Sequence, residues 1–148
     1  MRSALFLDLG GTLVQLDGDT VHLDAAGHIE ILPGVARKLL TAGYDVVLVV
    51  TNQSGLERGT VTWGQVRSWI DQLNEACGGV ITDWWASPRL DSDFRKPLPG
   101  MVTALADKHF VDLTRSLFVG DAESDRACAE AAGVRFEWAR DFFAASAD

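Results

Sequence analysis

The chain has 148 residues, 47% of them hydrophobic, and its 13 basic and 21 acidic side chains give a formal net charge of -8. This length fits a single domain, predicted over residues 1–148, and no apolar run approaches the ~20 residues that a membrane span needs. The negative charge opposes binding to a polyanion, so we expect a small phosphorylated metabolite rather than nucleic acid as the partner. The first residues leave no room for a signal peptide before an apolar run, which predicts a cytoplasmic location. The oligomeric state stays open.

Apolar runs alternate with helical patterns along the whole chain. Several runs are continuous rather than alternating, which is typical of strands that are buried on both faces. The helical patterns begin at capping residues such as Thr62 and Ser124 or end at glycines. Strands are predicted over residues 4–8, 45–50, 80–85, 116–119 and 134–137, and helices over residues 35–42, 62–77, 100–109 and 124–132.

This alternation predicts an α/β fold with a doubly wound parallel sheet of about five strands and helices on both faces. Residues 12–33 are too few for an inserted domain, and their alternating apolar residues around Asp17-Gly18-Asp19 predict a β-hairpin flap. The segment between Thr51 and Lys96 holds only a helix and a strand, so no cap domain is expected. Residues 141–148 are predicted to form a short helical or frayed tail.

Four polar segments follow predicted strands, and ligands of such sheets bind beyond the carboxyl ends of strands. Each segment alone is a common turn or capping pattern, but their order and placement together indicate one site. They are residues 8–12 (Asp-Leu-Gly-Gly-Thr), 51–55 (Thr-Asn-Gln-Ser-Gly), 95–97 (Arg-Lys-Pro) and 120–125 (Gly-Asp-Ala-Glu-Ser-Asp).

In this order the segments resemble the four motifs of the haloacid dehalogenase-like (HAD) superfamily of aspartyl-phosphate enzymes. Residues 51–59 and 95–101 further resemble its capless branch, which holds heptose bisphosphate phosphatase, histidinol phosphatase and the polynucleotide 3'-phosphatase domain. The resemblance implies a Mg²⁺-dependent phosphohydrolase that acts through an aspartyl phosphate. It implies Asp8 as nucleophile with Thr51 and Lys96 as catalytic partners, Gly11, Asn52, Arg58 and Arg95 as substrate-binding residues, and Asp8, the Gly10 carbonyl, Asp121 and Asp125 as metal ligands.

Position 10 departs from the superfamily pattern, Asp-x-Asp-Gly-Thr, in which the second aspartate is the general acid/base. Gly10 has no side chain for this role, and a positioned acid/base is worth about 100- to 10,000-fold in rate. We therefore expect turnover that is slow or restricted to good leaving groups. A water, or Asp17, Asp19 or Asp24 from the hairpin, remains open as a replacement. The pattern is compatible with a natural Gly10 and with an engineered one.

The sequence leaves two further hypotheses about function open. Residues 84–95 contain neither Cys nor His, so the zinc loop of the heptose enzymes is absent. Together with Gly10, this absence supports an alternative hypothesis. The chain would then be a degenerate protein that binds metal and phosphate for a regulatory or assembly role. Dehalogenase or phosphonatase chemistry fits less well, because those branches usually carry a cap domain.

Overall fold

The computed structural model describes residues 1–144, and its centre is a parallel sheet. In chain order the strands are β1 (Ala4–Leu7), β2 (Leu16–Asp17), β3 (Thr20–Val21), β4 (Val46–Asn52), β5 (Asp83–Ser87), β6 (Leu117–Gly120) and β7 (Arg135–Trp138). The sheet has five of these strands in the order β5-β4-β1-β6-β7, and every neighbouring pair is parallel. The predicted doubly wound α/β fold is confirmed.

Helices cover both faces of this sheet. They are α1 (Val35–Thr41), α2 (Gly55–Arg58), α3 (Trp63–Ala76), α4 (Gly100–His109), α5 (Glu123–Ala132) and α6 (Ala139–Ala144). Strand β1 shows how the two cores divide, because successive side chains of a strand point to opposite faces. Leu5 and Leu7 pack with residues of α1, α3 and α6, whereas Phe6 packs with residues of α4 and α5. The continuous apolar run of β1 is therefore buried on both sides, as predicted.

The helix starts depend on local hydrogen bonds. At α3, Thr62 Oγ1 accepts from the Gln65 amide at 3.1 Å while Gln65 Oε1 accepts from the Thr62 amide at 2.8 Å, so the predicted cap at Thr62 is confirmed. Helix α5 begins at Glu123 rather than at the predicted Ser124. The reason is that Asp125 Oδ2 accepts from the amide of Ala122 at 3.1 Å and closes the first turn one residue earlier.

Two segments near the edges of the sheet differ from prediction. Strand β5 begins at Asp83 rather than at residue 80, because the Ile81 amide donates to the Asn74 side chain at 2.9 Å and holds the preceding residues against α3. The predicted tail, residues 141–148, is helical in α6 as far as Ala144, and residues 145–148 lie outside the described part. The single-domain organisation over residues 1–148 stays a prediction.

Residues 14–31, called the hairpin below, form the predicted flap. Antiparallel pairing of β2 with β3 leaves Gly18 and Asp19 at the turn. A bridge between Val14 and Ile31 extends the pairing toward the base. Within residues 1–144 no cap domain is present, so the hairpin is the element that covers the carboxyl end of β1. No helix in this range is both long and apolar enough to cross a membrane.

Candidate active site

The four polar segments meet at the carboxyl edge of the sheet. Asp8 directly follows β1, Thr51 lies near the end of β4, and Asp121 directly follows β6. Lys96 comes from the loop between β5 and α4. These four residues line one cavity of about 310 Å³, called the site cavity below. Its other lining residues are Gly10, Leu16, Gly18, Asp19, Val21, Asn52, Gln53, Ala122, Ser124 and Asp125.

Lys96 is the centre of a buried network of charges. Its Nζ atom donates to Asp8 Oδ1 at 2.8 Å, to Asp125 Oδ1 at 2.7 Å and to the Val50 carbonyl at 3.0 Å. The Lys96 side chain is 3% exposed and that of Asp125 is 1% exposed. Because an ammonium group has three donors, all of them are used, and the lysine is fixed between the two carboxylates.

Burial and charge shift the protonation of all three groups. Burial raises the pKa of Asp8 above its ordinary value, the neighbouring Asp121 adds to the shift, and Lys96 opposes it. Burial also raises the pKa of Asp125, with a contribution from the charge of Asp8. For Lys96, burial acts to lower the pKa, but the charges of Asp8 and Asp125 outweigh it and raise that pKa. The lysine is therefore protonated at neutral pH, and a further cation here favours the ionised carboxylates.

Asp8, Asp121 and Asp125 form an acidic group that can hold a metal ion, since one carboxylate oxygen from each lies within 4.8 Å of the others. Asp125 is the least free of the three, because Oδ1 accepts from Lys96 and Oδ2 accepts from the amides of Asp121 and Ala122. Asp121 is exposed, and its Oδ1 accepts from the Thr12 hydroxyl at 3.1 Å. A set of carboxylate oxygens at a solvent-accessible edge fits Mg²⁺, which prefers oxygen ligands.

Two glycines allow the aspartates to approach each other. Gly11 has a φ of +79°, and a Cβ atom on it would lie 2.2 Å from Asp121 Oδ2. A Cβ atom on Gly120 would lie 2.4 Å from the Cβ atom of Asp125. A side chain at either position would therefore displace an aspartate of the site.

The turn after Asp8 already uses the amide of Gly11, a residue that the resemblance implies in substrate binding. The Gly11 amide donates to the Val14 carbonyl at 2.8 Å, so it is already occupied in this structure. By contrast, no backbone carbonyl of residues 1–144 accepts from the amides of Leu9 or Gly10. Sequence reasoning missed these two amides, because the path of a turn decides which donors remain free. The phosphate contact of Gly11 stays a prediction.

The second and third segments are joined through Asn52. Its Nδ2 atom donates to the Lys96 carbonyl at 3.1 Å, and its Oδ1 atom accepts from the Lys96 amide at 3.0 Å. The adjacent Thr51 is buried, and its hydroxyl accepts from Gln53 Nε2 at 3.1 Å. Sequence reasoning gave Asn52 a backbone contact with phosphate, and the structure shows that its side chain also fixes the backbone that carries Lys96.

The two predicted substrate arginines lie in different places. Arg58 donates to Ser54 Oγ at 3.0 Å and lines a small cavity of about 40 Å³ that shares Asn52 and Gln53 with the site cavity. Arg95 lines a separate cavity of about 430 Å³ formed by the loop between β5 and α4. Its Nη1 atom is buried and has no hydrogen-bond partner within the part of the chain that the structure describes. Neither arginine lines the site cavity itself: the Arg58 cavity shares Asn52 and Gln53 with it, and the Arg95 cavity shares Lys96.

Position 10 faces the hairpin. The Cδ2 atom of Leu16 lies 2.5 Å from the point that a Cβ atom on Gly10 would occupy. An apolar side chain therefore fills the space in which the superfamily pattern has a carboxylate. Sequence reasoning named Leu16 only as an apolar residue of the hairpin. Its alternation with Val14 and Val21 was the available signal that it points inward.

Of the three hairpin aspartates considered from the sequence, the structure brings one to the site. Asp19 lines the site cavity, whereas Asp17 and Asp24 do not. Asp24 is bound within its own turn, where Oδ1 accepts from the amides of Ala26 and His28 at 2.9 Å each.

Comparison with known proteins identifies the family. A family model described as polynucleotide kinase 3 phosphatase matches residues 4–147. The chain belongs to this family. With the fold and the four segments above, this makes it a capless HAD-like phosphatase, as the resemblance implied.

The relatives of this HAD-like phosphatase match it over most of their length. It is 37% identical to D-glycero-beta-D-manno-heptose-1,7-bisphosphate 7-phosphatase of Rhodopseudomonas palustris, over 92% of this chain and 84% of the relative. It is 31% identical to D-glycero-alpha-D-manno-heptose-1,7-bisphosphate 7-phosphatase of Burkholderia mallei, over 88% of this chain and 76% of the relative. The crystal structure of D,D-heptose 1.7-bisphosphate phosphatase from B. bronchiseptica, complexed with magnesium and phosphate, matches with a TM-score of 0.80 at 29% identity, over 90% of this chain and 78% of that one.

Proposed function

We propose that this chain is a Mg²⁺-dependent phosphohydrolase that acts on a small phosphorylated sugar through an aspartyl phosphate on Asp8. The observation that carries the proposal is the buried contact of 2.8 Å between Lys96 Nζ and Asp8 Oδ1 at the wall of the site cavity. A carboxylate that attacks a phosphate ester faces electrostatic repulsion. A protonated lysine fixed beside that carboxylate offsets the repulsion before the substrate arrives.

The residues around Asp8 divide the remaining work. Asp8 attacks phosphorus and the sugar oxygen leaves, after which a water attacks the same phosphorus and releases inorganic phosphate. Lys96 neutralises charge on Asp8 and on the phosphoryl group in both steps. The Thr51 hydroxyl and the Asn52 amide, both at the wall of the site cavity, bind phosphate oxygens.

Mg²⁺ is the proposed cofactor, and the acidic group supports it. Asp8, Asp121 and the Gly10 carbonyl would hold the cation, because Mg²⁺ is usually bound by one or two carboxylates together with substrate phosphate and water. Asp125 acts as an auxiliary ligand or, as its hydrogen bonds to Lys96 and to the Asp121 amide favour, as the residue that positions the others. When bound, the cation would supply positive charge that stabilises the negative charge of the phosphoryl group.

The relatives direct the substrate proposal to sugar bisphosphates. Their names specify heptose-1,7-bisphosphate in both the alpha and the beta forms, so the proposal extends to that class and not to one anomer. Arg58 is the proposed contact for a second phosphate, because its cavity adjoins the site cavity and a guanidinium group binds phosphate through two donors. The corresponding role of Arg95 stays a prediction, as does the cytoplasmic location. The charge of -8 favours a small substrate over nucleic acid.

Gly10 leaves this proposed function without the general acid/base of the superfamily pattern. It offers no proton to the departing sugar oxygen, so turnover is slow or limited to good leaving groups unless another residue supplies that proton. The alternative, a degenerate binding protein, rests on Gly10 and on the missing zinc loop. Against it stands the buried arrangement of two carboxylates around one lysine, which is costly to bury and which binding of phosphate alone does not require.

The test is Mg²⁺-dependent release of phosphate from a heptose 1,7-bisphosphate and from an aryl phosphate. We expect activity that a chelator abolishes and that Asp8→Asn reduces about 10,000-fold or more, because the variant lacks the proposed carrier of the phosphoryl group. Circular dichroism of Asp8→Asn serves as the control for folding. Turnover that survives in Asp8→Asn would show that the chain does not use this nucleophile.

A further inference from the structure

We propose that Asp19, at the turn of the hairpin, is the catalytic general acid/base that replaces the carboxylate missing at position 10. This proposal rests on the phosphatase function above and adds one residue to it. The superfamily pattern places the acid two residues after the nucleophile. Here the acid comes from a different element, the flap that covers the carboxyl end of β1.

Among the acids that line the site cavity, Asp19 alone has a carboxylate without a hydrogen bond or ion pair within the described residues. The cavity is lined by four acids, Asp8, Asp19, Asp121 and Asp125. Asp8 and Asp125 are bound to Lys96, and Asp121 accepts from Thr12. No hydrogen bond or ion pair of the Asp19 carboxylate occurs in residues 1–144, and the residue is exposed on the cavity side of the turn. Its carboxyl group is therefore free to exchange a proton with a substrate or with water.

The hairpin that carries Asp19 also packs a side chain against position 10. Leu16 Cδ2 lies where a side chain on Gly10 would begin, at 2.5 Å from the ideal Cβ position. Leu16 and Asp19 belong to one hairpin and are separated by Asp17, the second residue of β2, and by Gly18, the first turn residue. A side chain at position 10 would displace the end of the Leu16 side chain. Glycine at position 10 therefore removes one acid and leaves room for a side chain of the hairpin that carries another.

The base of the hairpin is held by backbone hydrogen bonds and by core packing. The Leu32 amide donates to the Leu13 carbonyl at 2.9 Å, and the Gln15 amide donates to the Glu30 carbonyl at 2.8 Å. Val14 is fully buried in the core below. These hydrogen bonds join the two arms of the hairpin to each other, and burial of Val14 anchors its first arm in the core. A residue that acts repeatedly from one position needs such support.

The proposed proton transfers balance over one catalytic cycle. In the first step Asp8 forms a bond to phosphorus while the bond from phosphorus to the sugar oxygen breaks. The protonated Asp19 gives its proton to that oxygen. In the second step the ionised Asp19 takes a proton from a water whose oxygen bonds to phosphorus as the bond to Asp8 breaks. The products are the sugar alcohol and inorganic phosphate, and Asp19 is protonated again.

The test compares Asp19→Asn with Asp17→Asn on substrates that differ in leaving group. Asp17 is the matched control, because it lies on the same hairpin and carries the same charge but does not line the site cavity. A sugar phosphate needs a proton at its leaving oxygen, whereas a nitrophenyl phosphate does not. We expect Asp19→Asn to lower kcat for the sugar phosphate by about 100- to 10,000-fold. Formation of the phosphoenzyme from the nitrophenyl ester should change little, and Asp17→Asn should act like the unaltered chain on both substrates.

The outcomes separate this proposal from the function on which it rests. If Asp8→Asn is inactive while Asp19→Asn and Asp17→Asn both match the unaltered chain, Asp19 is not the acid, and the phosphatase function stands. An equal loss in both hairpin variants would assign the effect to charge on the hairpin and would also overturn the proposal. If Asp8→Asn keeps its activity, the proposed function itself fails. A further variant, Gly10→Asp with Leu16→Ala, should restore turnover in the Asp19→Asn background, because it returns an acid to position 10.

Discussion

Two clusters of ionisable residues lie at opposite ends of the sheet, and each has one residue shared between two partners. At the carboxyl edge, Lys96 contacts two carboxylates. At the start of β5, the carboxylate of Asp83 is shared, with Oδ2 at 2.7 Å from Lys108 Nζ and 2.8 Å from His109 Nε2. The contact distances are nearly the same in the two clusters, but the clusters differ in their exposure to water.

Exposure decides what each cluster can do. The Lys96 side chain is 3% exposed, whereas that of Lys108 is 63% exposed. Asp83, Lys108 and His109, called the surface cluster below, are partly buried at Asp83 and His109, but water surrounds the Lys108 ammonium group and screens its charge. The cluster therefore contributes about 0–1 kcal/mol, and its basic residues lie in the last turn of α4, where they also complement the helix dipole. Burial of the other cluster costs several kcal/mol per ion, which its own attractions only partly offset. The buried cluster is therefore better explained by phosphoryl transfer than by stability.

The largest expected effect comes from breaking the buried cluster. Lys96→Met should lower the free energy of unfolding by about 3–5 kcal/mol at pH 7, because it leaves Asp8 and Asp125 buried, facing each other and without a cation. Urea denaturation measures the change. Lys108→Met is the matched control, with an expected loss of about 0–1 kcal/mol. Similar losses in the two variants would contradict the claim that burial separates the clusters.

An intermediate effect is expected where the hairpin meets the same edge. Gly10→Ala should lower the free energy of unfolding by about 1–3 kcal/mol, because the new methyl group displaces Leu16 from packed space. In a Leu16→Ala background the same change should be neutral or stabilising by about 0.4–1 kcal/mol, since alanine restricts the unfolded chain. The coupling energy of this double-mutant cycle is the measurement. A coupling near zero would mean that Leu16 does not occupy the space at position 10.

The carboxyl edge was largely predictable from sequence because parallel strands impose it. Asp8 follows β1 and Asp121 follows β6, and these adjacent strands end at the same edge whatever their loops do. Strand limits were less predictable. Val80 and Ile81 favour a strand by composition, but the side chain of Asn74 takes the Ile81 amide and delays β5 to Asp83. A side-chain contact from the end of α3, seven residues earlier, overrides the local strand preference there.

The positions of some site residues could not be predicted from the sequence, because they depend on the paths of loops. Arg95 is next to Lys96 in the motif, yet it lines the cavity of the loop between β5 and α4 and not the site cavity, and Lys96 borders both. One contact that fixes this loop is the hydrogen bond of 3.1 Å from the Leu90 amide to Glu57 on α2. The contact of Leu16 with position 10 is of the same kind: the alternating pattern indicates that Leu16 points inward, but the place where the hairpin lies decides that it meets position 10.

The smallest expected effect belongs to the surface cluster and depends on pH. Partial burial acts to raise the pKa of Asp83, but the hydrogen bonds from Lys108 and His109 outweigh it and hold that pKa below its ordinary value. A carboxyl group with a lowered folded-state pKa stabilises the fold above its unfolded pKa of about 3.9, and this contribution is lost as the pH falls through the folded-state pKa. Asp83→Asn should therefore cost about 0.2–1 kcal/mol at pH 7.

Urea denaturation of Asp83→Asn and the unaltered chain at a series of pH values tests the electrostatic origin of this cost. Asp71→Asn, at an exposed acid of α3, is the control for the general effect of removing a negative charge. The difference between Asp83→Asn and the unaltered chain should shrink as the pH falls below about 4, because the native carboxylate then loses its charge as well. A cost that stays constant down to pH 3 would instead assign it to the shape of the side chain. The surface cluster would then differ from the buried one in kind, because charge would contribute nothing to it.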